Sequence, residues 1–350
     1  MRSFLKPAAG LTCLFALAVT GCSSSSGDSS DSSSGGTESA PSTPSSTPSS
    51  SSASAGSSST TAYAPYVSVT TAADMDGKGS PSTYNLSFAI ASGSTCTPTW
   101  NGTTAIGDSA VKSRISALKT SGATVRVSFG GASGKELAET CGSATALAKA
   151  YGEALDAAGS SQADFDIEGD ALTDSTSVAL RSKAIALLQK ERTGLKVSFT
   201  LPVMPSGLDS DSLALLESAN DNAVEVSTVN IMTMNYGESY TGDMGDYAIT
   251  SATATHTQLK KVFGLSDAGA WQGMALTSMI GVNDVSGETF SLSDAAQVRT
   301  FAESKKVAWV SMWSTFRDQQ CESGGSDDDA ATDCSGVTQS AGAFGEAFAG

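Results

Sequence analysis

The sequence predicts a (β/α)8 barrel, formed as a single α/β domain between Tyr63 and Gly350. Eight short apolar runs alternate with longer stretches of helical periodicity, which is typical of parallel strands joined by helices. Roughly 290 residues without a further linker are enough for one such barrel. The alternative to this TIM barrel is an open doubly wound sheet, which needs a phosphate-type loop that the sequence does not offer.

The first 21 residues have the composition of an export signal. Arg2 and Lys6 precede an apolar run, Leu11–Val19, that is too short to span a membrane. Val19-Thr20-Gly21-Cys22 follows and resembles the lipobox of bacterial lipoproteins, in which cleavage before the cysteine leaves that residue to carry lipid. We therefore expect an extracellular lipoprotein that touches the membrane only through its anchor. An ordinary signal peptide and a secreted protein are the alternative.

Residues 22–62 consist almost entirely of Ser, Thr, Pro and Gly. Such a segment has too few apolar side chains to offset its ordering entropy by burial. It is therefore predicted to be a disordered tether that holds the folded domain, residues 63–350, away from the cell envelope.

Six cysteines are present, of which Cys13 falls in the signal and Cys22 is the candidate lipid site. The other four are Cys96, Cys141, Cys321 and Cys334. An even number in an exported domain predicts two disulfides. The last two flank one hydrophilic loop and are expected to pair, which leaves the first two for each other.

The balance of 20 basic against 36 acidic side chains gives a net charge of −16. Phosphate binding needs a basic face, so this charge disfavours nucleic acid as a partner.

The domain contains eight candidate strands, which are short and apolar. They are Tyr66–Thr70, Tyr84–Ile90, Thr124–Phe129, Ala163–Glu168, Lys196–Leu201, Val229–Met234, Gly273–Met279 and Ala308–Trp313. The amphipathic stretches between most of them are Val111–Thr120, Ala144–Ala158, Thr176–Lys190, Ser212–Ala219, Thr255–Phe263 and Leu292–Ser304. Residues 71–83 are too rich in Gly and Pro for a helix, so a loop should join the first two strands.

The fourth candidate strand carries an unusual acidic pattern. Asp164, Asp166 and Glu168 occupy alternate positions, so in a strand they share one face, while Phe165 and Ile167 occupy the other. Like charges on a buried face raise the pKa of an acid, which suits a site that must keep one carboxyl group protonated near neutral pH. The alternative is an exposed edge strand with a solvated acidic face, but the apolar neighbours favour a buried strand.

In a parallel barrel, catalytic side chains lie at the carboxyl ends of the strands. Those ends carry polar and aromatic groups, which suit a sugar because aromatic faces stack on pyranose rings and amides bind hydroxyl groups. The candidates are Ser128, Gly130, Met234, Asn235, Tyr236, Met279 and Trp313. Taken singly, each has a structural alternative: Gly130 as a tight strand exit, Tyr236 as a capping phenol and Trp313 as a core side chain.

Other chemistries find little support. The one histidine, His256, lies on a candidate helix and is predicted to be on the surface, so a Ser-His-Asp triad or a histidine zinc site is disfavoured. Residues 131–135, Gly-Ala-Ser-Gly-Lys, do not have the Walker spacing. Asp327–Asp329 is predicted to be a solvated loop, with a bound calcium ion as the alternative.

These motifs resemble those of the family 18 glycoside hydrolases, the chitinase family. Asp164-Phe165-Asp166-Ile167-Glu168 is similar to the Asp-x-x-Asp-x-Asp-x-Glu signature of that family. Ser128-Phe129-Gly130-Gly131 resembles its Ser-x-Gly-Gly motif on the third strand, and Met234-Asn235-Tyr236 resembles its Met-x-Tyr motif on the sixth. Trp313 falls where the family has an eighth-strand tryptophan. The four motifs occur in the family's order, and the segments around Asn283 and Arg317 suggest a bacterial branch.

Two positions depart from the family pattern. The first Asp of the signature is Ser161 here, so a charge relay to Asp164 is missing. The acid that often follows the motif tyrosine is Gly237, which leaves Asn235 as the nearest polar substitute. These departures bear on rate and pH optimum more than on the type of reaction.

The resemblance implies retaining hydrolysis of β-1,4-linked N-acetylglucosamine, in chitin or its oligosaccharides, assisted by the substrate's own acetamide. Glu168 would be the general acid, Asp166 would hold the acetamide N–H and share a proton with Asp164, and Tyr236 would donate to the acetamide oxygen. Residues implied in sugar binding are Trp313, Asn235, Met234, Met279, Gly130 and Ser128. Neither a metal ion nor an organic cofactor is required, and a monomer is expected.

The sequence leaves several functions open. An endo-β-N-acetylglucosaminidase or a peptidoglycan-cleaving enzyme would use the same site. A non-catalytic chitin-binding lectin could share the barrel, but lectins of this family usually lack the acid that is retained as Glu168. An envelope-anchored structural module is a third possibility, although no feature of the strand ends argues for it.

Overall fold

The computed structural model describes residues 61–322 and 333–350. The predicted signal, the lipid site Cys22 and most of the predicted tether lie outside these ranges, as does the acidic run Asp327–Asp329. The domain starts slightly earlier than expected. Thr61 is buried and its hydroxyl donates to the carbonyl of Ala302, and Ala62 already belongs to a strand, so the last two residues of the predicted tether are part of the barrel.

Eight parallel strands form a closed barrel, which confirms the predicted fold. The first strand, β1, consists of Ala62–Tyr63 and Tyr66–Ser68, with a break at Ala64-Pro65. The others are β2 (Thr83–Ala91), β3 (Thr124–Gly130), β4 (Gln162–Asp166), β5 (Lys196–Pro202), β6 (Val226–Met232), β7 (Met274–Met279) and β8 (Trp309–Trp313). The two parts of β1 pair with β8 and β2 respectively, and this closes the barrel.

The predicted helices are all present, and together with shorter ones they surround the barrel. They are α1 (Ser109–Leu118), α2 (Ala144–Ala158), α3 (Gly169–Thr173), α4 (Ser175–Glu191), α5 (Ser210–Asp221), α6 (Met244–Phe263), α7 (Asp267–Gln272), α8 (Leu292–Lys305) and α9 (Ala343–Ala349). Of the predicted helices, α6 differs most from its prediction, since it begins at Met244 rather than Thr255. Asp243 caps it by accepting a hydrogen bond from the backbone N–H of Asp246. As predicted, a loop alone joins β1 to β2.

None of the helices within 61–322 and 333–350 combines the length and the apolar character that crossing a bilayer requires.

The lower part of the barrel interior is filled by a polar layer. The Arg126 guanidinium donates to Asn85 Oδ1 at 2.7 Å and to Gln162 Oε1 at 3.1 Å, and it lies 4.0 Å from the ring centre of Trp309. Further toward the carboxyl ends of the strands, Asn230 donates to hydroxyl groups on β5 and β7. These bonds satisfy buried polar groups and fix the strands that carry the acidic residues.

Short antiparallel strands follow two of the barrel strands, beyond their carboxyl ends. After β2 the chain forms the short strands Pro98–Trp100 and Thr104–Ala105, which extend the sheet from β2. We call residues 92–105 the β2 wall. After β7, Gly281–Val282 pairs with Thr289–Phe290 and forms what we call the β7 hairpin, residues 281–290.

Both predicted disulfides are present in the structure. Cys96 pairs with Cys141 and so links the β2 wall to the segment before α2, and Cys321 pairs with Cys334.

The first and last described residues meet at one turn of α8. Thr61 bonds to Ala302, while Gly350 lies against Arg299 and Glu303. The Arg299 guanidinium also donates to the carbonyl of Phe348 at 2.7 Å. The beginning of β1 and the end of α9 are therefore anchored to the same helix.

His256 is buried, contrary to the prediction of a surface position. Its ring stacks on Trp271 with centroids 4.0 Å apart, and Nε2 lies 2.9 Å from the carbonyl oxygen of Asp267. The residue therefore joins α6 to α7, a role that the polar composition of α6 did not indicate.

Candidate active site

A cavity of about 970 Å³ opens at the carboxyl ends of the barrel strands. Its floor and walls come from residues of several strands, including Tyr66, Asp166, Glu168, Thr200 and Trp313. The two antiparallel segments also reach it, through Asn101 in the β2 wall and Asp284 in the β7 hairpin. A volume of this size and its position in the barrel are typical of a substrate site.

Asp164 lies below the cavity and is 1% exposed. Its Oδ2 accepts hydrogen bonds from the hydroxyl groups of Tyr66 at 3.0 Å and Ser128 at 2.5 Å. Its Oδ1 accepts from Ser198 at 2.7 Å and Thr200 at 2.9 Å. Two carboxylate oxygens offer about four acceptor positions, and hydroxyl donors occupy all of them. The Asp164 carboxylate therefore has no acceptor position left for a proton shared with Asp166, and this geometry disfavours the predicted sharing.

Asp166 lies one position nearer the cavity on the same face of β4. The residue is 5% exposed, yet its Oδ1 atom is buried without a hydrogen-bond partner among the described residues. Burial raises the pKa of Asp166 well above its ordinary value, and the carboxylates of Glu168 and Asp164 add to the rise. A buried acceptor that lines a cavity is available to a donor on a bound molecule.

Glu168 lies two residues beyond the end of β4, although the sequence predicted it inside the strand. Its backbone remains extended, with φ −143° and ψ 172°, so its side chain continues the acidic face into the cavity. Burial raises the pKa of Glu168, and the negative charge of Asp284 raises it further. A raised pKa keeps the proton that a general acid must donate.

Three aromatic rings form one side of the cavity. Phe88 and Trp313 stack with centroids 5.6 Å apart and an interplanar angle of 22°, and Tyr66 lies 5.9 Å from Trp313. The candidate Trp313 is half-buried and lines the cavity. Its alternative role as a core side chain therefore does not describe it. An exposed aromatic face beside acids is the combination that carbohydrate rings require.

The glycine motif after β3 positions the site rather than contacting the cavity. A Cβ atom on Gly130 would lie 2.1 Å from the carbonyl oxygen of Asp166, so only glycine allows this approach of β3 to β4. Ser128, on the same strand, is fully buried and acts on Asp164 through its hydroxyl group. Neither Gly130 nor Ser128 is among the cavity-lining residues, and their contact with the sugar stays a prediction.

Tyr236 is not among the residues that line the cavity, and its catalytic role stays a prediction. The side chain is 4% exposed and packs against Tyr240 and Tyr247, with centroids 5.8 and 5.9 Å away. Its hydroxyl oxygen lies 3.4 Å from Ser251 Oγ on α6. Burial also raises the pKa of this phenol above its ordinary value. The capping role offered as the alternative is closer to what the structure contains.

The two residues before Tyr236 do line the cavity, as predicted for Met234 and Asn235. Asn235 has a φ of 55°, a left-handed conformation that turns the chain at this point. Met279 is buried in β7 and is not among the lining residues, and its contact with the sugar stays a prediction.

Sequence reasoning missed Phe88 and Asp284 as cavity residues. The pairing of β2 with β3 shifts register between Leu86 and Ala89, and this irregularity interrupts the alternation that would have indicated where Phe88 points. Asp284 follows β7 among other polar residues, and no signal singled it out from its neighbours.

Within the described residues, no group of three or more His, Cys, Asp or Glu side chains is arranged to hold a metal ion.

The known proteins to which this chain is similar, in sequence and in structure, include several that are named as chitinases. No family model matches the chain. The chain is 34% identical over 275 residues to the "Probable bifunctional chitinase/lysozyme" of Escherichia coli (strain K12), a match that covers 73% of this chain and 31% of that protein. It is 32% identical over 276 residues to "Endochitinase 11" of Metarhizium anisopliae, which covers 73% of this chain and 52% of the relative. The matched segments thus make up about a third of the length of the first relative and about half of the length of the second.

Solved structures agree with the sequence matches. The catalytic domain of a hyperthermophilic chitinase from Pyrococcus furiosus has a TM-score of 0.72 and 28% identity, over 82% of this chain and 93% of that one. A GH18 chitinase from Pseudoalteromonas aurantia has a TM-score of 0.53 over 73% of this chain and 94% of that one, but with 12% identity it bears on the fold alone. The barrel is therefore the fold of family 18 chitinase catalytic domains, and the relatives support the resemblance that the motifs indicated.

Proposed function

We propose that this chain is a family 18 glycoside hydrolase that cleaves β-1,4 linkages of N-acetylglucosamine in chitin or chitooligosaccharides. The observation that carries the proposal is the pair Asp166 and Glu168 at the cavity floor. One presents a buried, unpartnered acceptor atom, and the other has a pKa raised by burial. Trp313 lines the same cavity and offers a stacking surface for a sugar ring.

Substrate-assisted hydrolysis explains why one acid must stay protonated. In the first step, Glu168 gives its proton to the glycosidic oxygen while the bond from that oxygen to the anomeric carbon breaks. The acetamide oxygen of the same sugar forms the new bond to that carbon, which produces a cyclic oxazolinium ion. In the second step, water attacks the anomeric carbon and passes a proton to the Glu168 carboxylate. The bond from that carbon to the acetamide oxygen breaks as the water attacks, which restores the acetamide and gives overall retention of configuration.

Asp166 is assigned to the acetamide group. Its unpartnered Oδ1 atom would accept the acetamide N–H, which aims the acetamide oxygen at the anomeric carbon. Positive charge on the oxazolinium ring would favour the ionised form of Asp166, whose pKa is raised in the free protein, and the carboxylate would then stabilise the ring. Asp164 is fixed by four hydroxyl donors, so its part is to hold a negative charge below Asp166 rather than to exchange a proton.

The hydroxyl donors to Asp164 also explain how the site can have Ser161 where the family signature has its first Asp. That residue is exposed at the beginning of β4, away from the cavity, and it contributes only its carbonyl to Lys196. Local hydroxyl groups therefore take the place of the absent acidic relay.

The decisive experiment compares Glu168→Gln with wild type on chitin oligomers, with the products analysed by mass. Gln keeps the shape and a hydrogen-bond donor but has no proton to transfer, so hydrolysis should fall by roughly two to four orders of magnitude. Oligosaccharide binding should survive. Asp170→Asn, an exposed acid outside the cavity, is the matched control and should keep wild-type activity.

Two results would overturn the proposal. One is wild-type hydrolysis by Glu168→Gln, and the other is equal cleavage of oligomers that lack the N-acetyl group. A thiazoline mimic of the intermediate should inhibit the wild-type enzyme and bind Asp166→Asn more weakly.

The same assay should also test peptidoglycan and a glycoprotein as substrates. The relative from Escherichia coli carries both chitinase and lysozyme in its name, so cleavage of peptidoglycan is the second candidate activity. Product masses would separate the two activities and would also identify endo-β-N-acetylglucosaminidase action on the glycoprotein.

A further inference from the structure

We propose that Asp284, clamped by Asn235, is a positioning residue that keeps the proton on Glu168 during the proposed reaction. This inference rests on the proposed function, because it assigns the group that maintains the acid in its working state. Asp284 is not part of the acidic stretch on β4. It reaches the cavity from the β7 hairpin, and a carboxylate facing the same cavity disfavours ionisation of Glu168.

Asp284 is held at two points by one side chain from the neighbouring strand end. Asn235 Nδ2 donates to Asp284 Oδ2 at 3.0 Å, and Asn235 Oδ1 accepts from the backbone N–H of Val285 at 3.3 Å. Asn235 adopts its left-handed backbone conformation where β6 has ended, and that turn places its amide next to the hairpin. An exposed aspartate on a loop would otherwise sample many positions, so this clamp is what gives its charge a fixed place.

A second acid, Glu288, fixes the clamp itself. It is 1% exposed, and its Oε1 atom accepts from the backbone N–H of Gly237 at 2.7 Å. Its own backbone closes the hairpin, since the N–H of Asn283 donates to the Glu288 carbonyl at 3.1 Å. The β7 hairpin thus binds the segment 235–237 at both Asp284 and Glu288. Gly237 has no side chain where the family often has an acid, and the β7 hairpin brings two acids, Asp284 and Glu288, next to this segment instead.

Other charged side chains also line the cavity around Glu168. Asp166 lies below Glu168 on β4, while Asp209 and Lys135 line the cavity from the loops after β5 and β3. Behind Asp284, the buried Arg317 guanidinium donates to the carbonyls of Ile280 and Val282, at the base of the hairpin. Asp284 and Arg317 attract each other electrostatically. Burial and the charge of Asp284 then act in the same direction on the pKa of Glu168.

The test is the pH profile of Asp284→Asn. Without the neighbouring charge, Glu168 should lose its proton at lower pH. The alkaline limb of kcat/KM should then move down by about one pH unit, which is roughly a tenfold loss above that limb. The loss at acidic pH should be small, because Glu168 is protonated there in both proteins. Asp284→Glu retains the charge and should restore the limb, whereas a merely structural role would lower the rate equally at every pH.

A readout without substrate separates this inference from the proposed function. Carboxyl-carbon NMR of the protein should show Glu168 titrating at lower pH in Asp284→Asn than in wild type, with Asp170→Asn unchanged. An unmoved titration and an unmoved alkaline limb would overturn the role of Asp284, even if Glu168→Gln is inactive. Conversely, full activity of Glu168→Gln would overturn the proposed function, while the titration would still report on the pair.

Discussion

The rings of Phe88 and Trp313 stack with centroids 5.6 Å apart, although they come from β2 and β8. β1 lies between those two strands in the barrel, and its Tyr66 contacts both rings. The aromatic side of the cavity is therefore assembled across three strands, and the position of any one ring depends on its neighbours. Gly131 is one such neighbour, because a Cβ atom there would lie 2.8 to 2.9 Å from ring atoms of Phe88.

Gly131→Ala should weaken substrate binding more than it weakens the fold. The added methyl group must displace the Phe88 ring, and this disturbs the surface next to Trp313. We expect KM for chitin oligomers to rise several-fold. Gly122→Ala is the matched control, since its φ of 86° is close to the 89° of Gly131 but no atom lies within 4 Å of its added Cβ. Both variants carry the same backbone strain, roughly 1 kcal/mol. An equal KM in the two variants would contradict the prediction.

Asp166→Asn should stabilise the protein at alkaline pH while it lowers activity. The pKa of Asp166 is raised in the folded state, so its proton contributes stability that is fully present below the ordinary pKa of an aspartate. That contribution is lost as the pH rises through the raised folded value. Asn does not titrate and escapes this loss, so the variant's Tm relative to wild type should be higher at pH 8 than at pH 4. Each kcal/mol recovered corresponds to roughly 2–4 °C. Thermal unfolding at both pH values measures it, and a pH-independent difference would contradict it.

Removing the disulfide between Cys96 and Cys141 should affect both stability and binding. The bridge closes a separation of 45 residues, so its loss should cost about 4 kcal/mol by loop-closure entropy. It also anchors the β2 wall, which lines the cavity through Asn101, so KM should rise. The double serine variant of Cys321 and Cys334 is the comparison: its bridge spans 13 residues and should cost about 3 kcal/mol. If the rise in KM is the same for both pairs, the β2 wall has no special role.

The lipoprotein prediction at Cys22 is tested by fractionation. Cys22→Ala should leave the protein unprocessed or release it from the membrane fraction, because the thiol that would carry lipid is gone. Detection of the folded domain in membrane and soluble fractions measures this. Membrane association equal to that of wild type would count against a lipid anchor at this residue.

The fold was predictable because its strands are short, apolar and separated by helices with clear periodicity. Asp164 and Asp166 were predictable for a related reason, since alternation fixes the face of a residue within a strand. The role of Tyr236 came from the family resemblance alone, because β6 ends at Met232 and alternation has no meaning beyond that point.

Asp284 illustrates a second limit of sequence reasoning. Its position depends on the β7 hairpin, whose pairing and contacts with residues 235–237 have no periodic signal. Phe88 was hidden by the local shift of register in β2, which reverses the inward and outward sides of a strand midway along its length. Asp284 and Phe88 thus owe their positions to irregular segments, the β7 hairpin and the shifted part of β2, whose contacts with distant residues cannot be read from local sequence patterns.

The meeting of Thr61 and Gly350 on one turn of α8 has a consequence for engineering the barrel. A short linker could join these two points, and new ends could be opened in an exposed loop elsewhere, since circular permutation is tolerated where the ends lie close together at the surface. The loop 71–83 is unsuitable because Asp76 within it is tied to Arg114 and Thr315. The connection between α6 and α7, around the left-handed Gly264, comes before β7 and so lies on the side of the strands' amino ends, opposite the cavity. In a permutant opened there, the strands would follow one another in a different order along the chain while the closed barrel stays the same. Its folding would show whether closure of the barrel depends on that order.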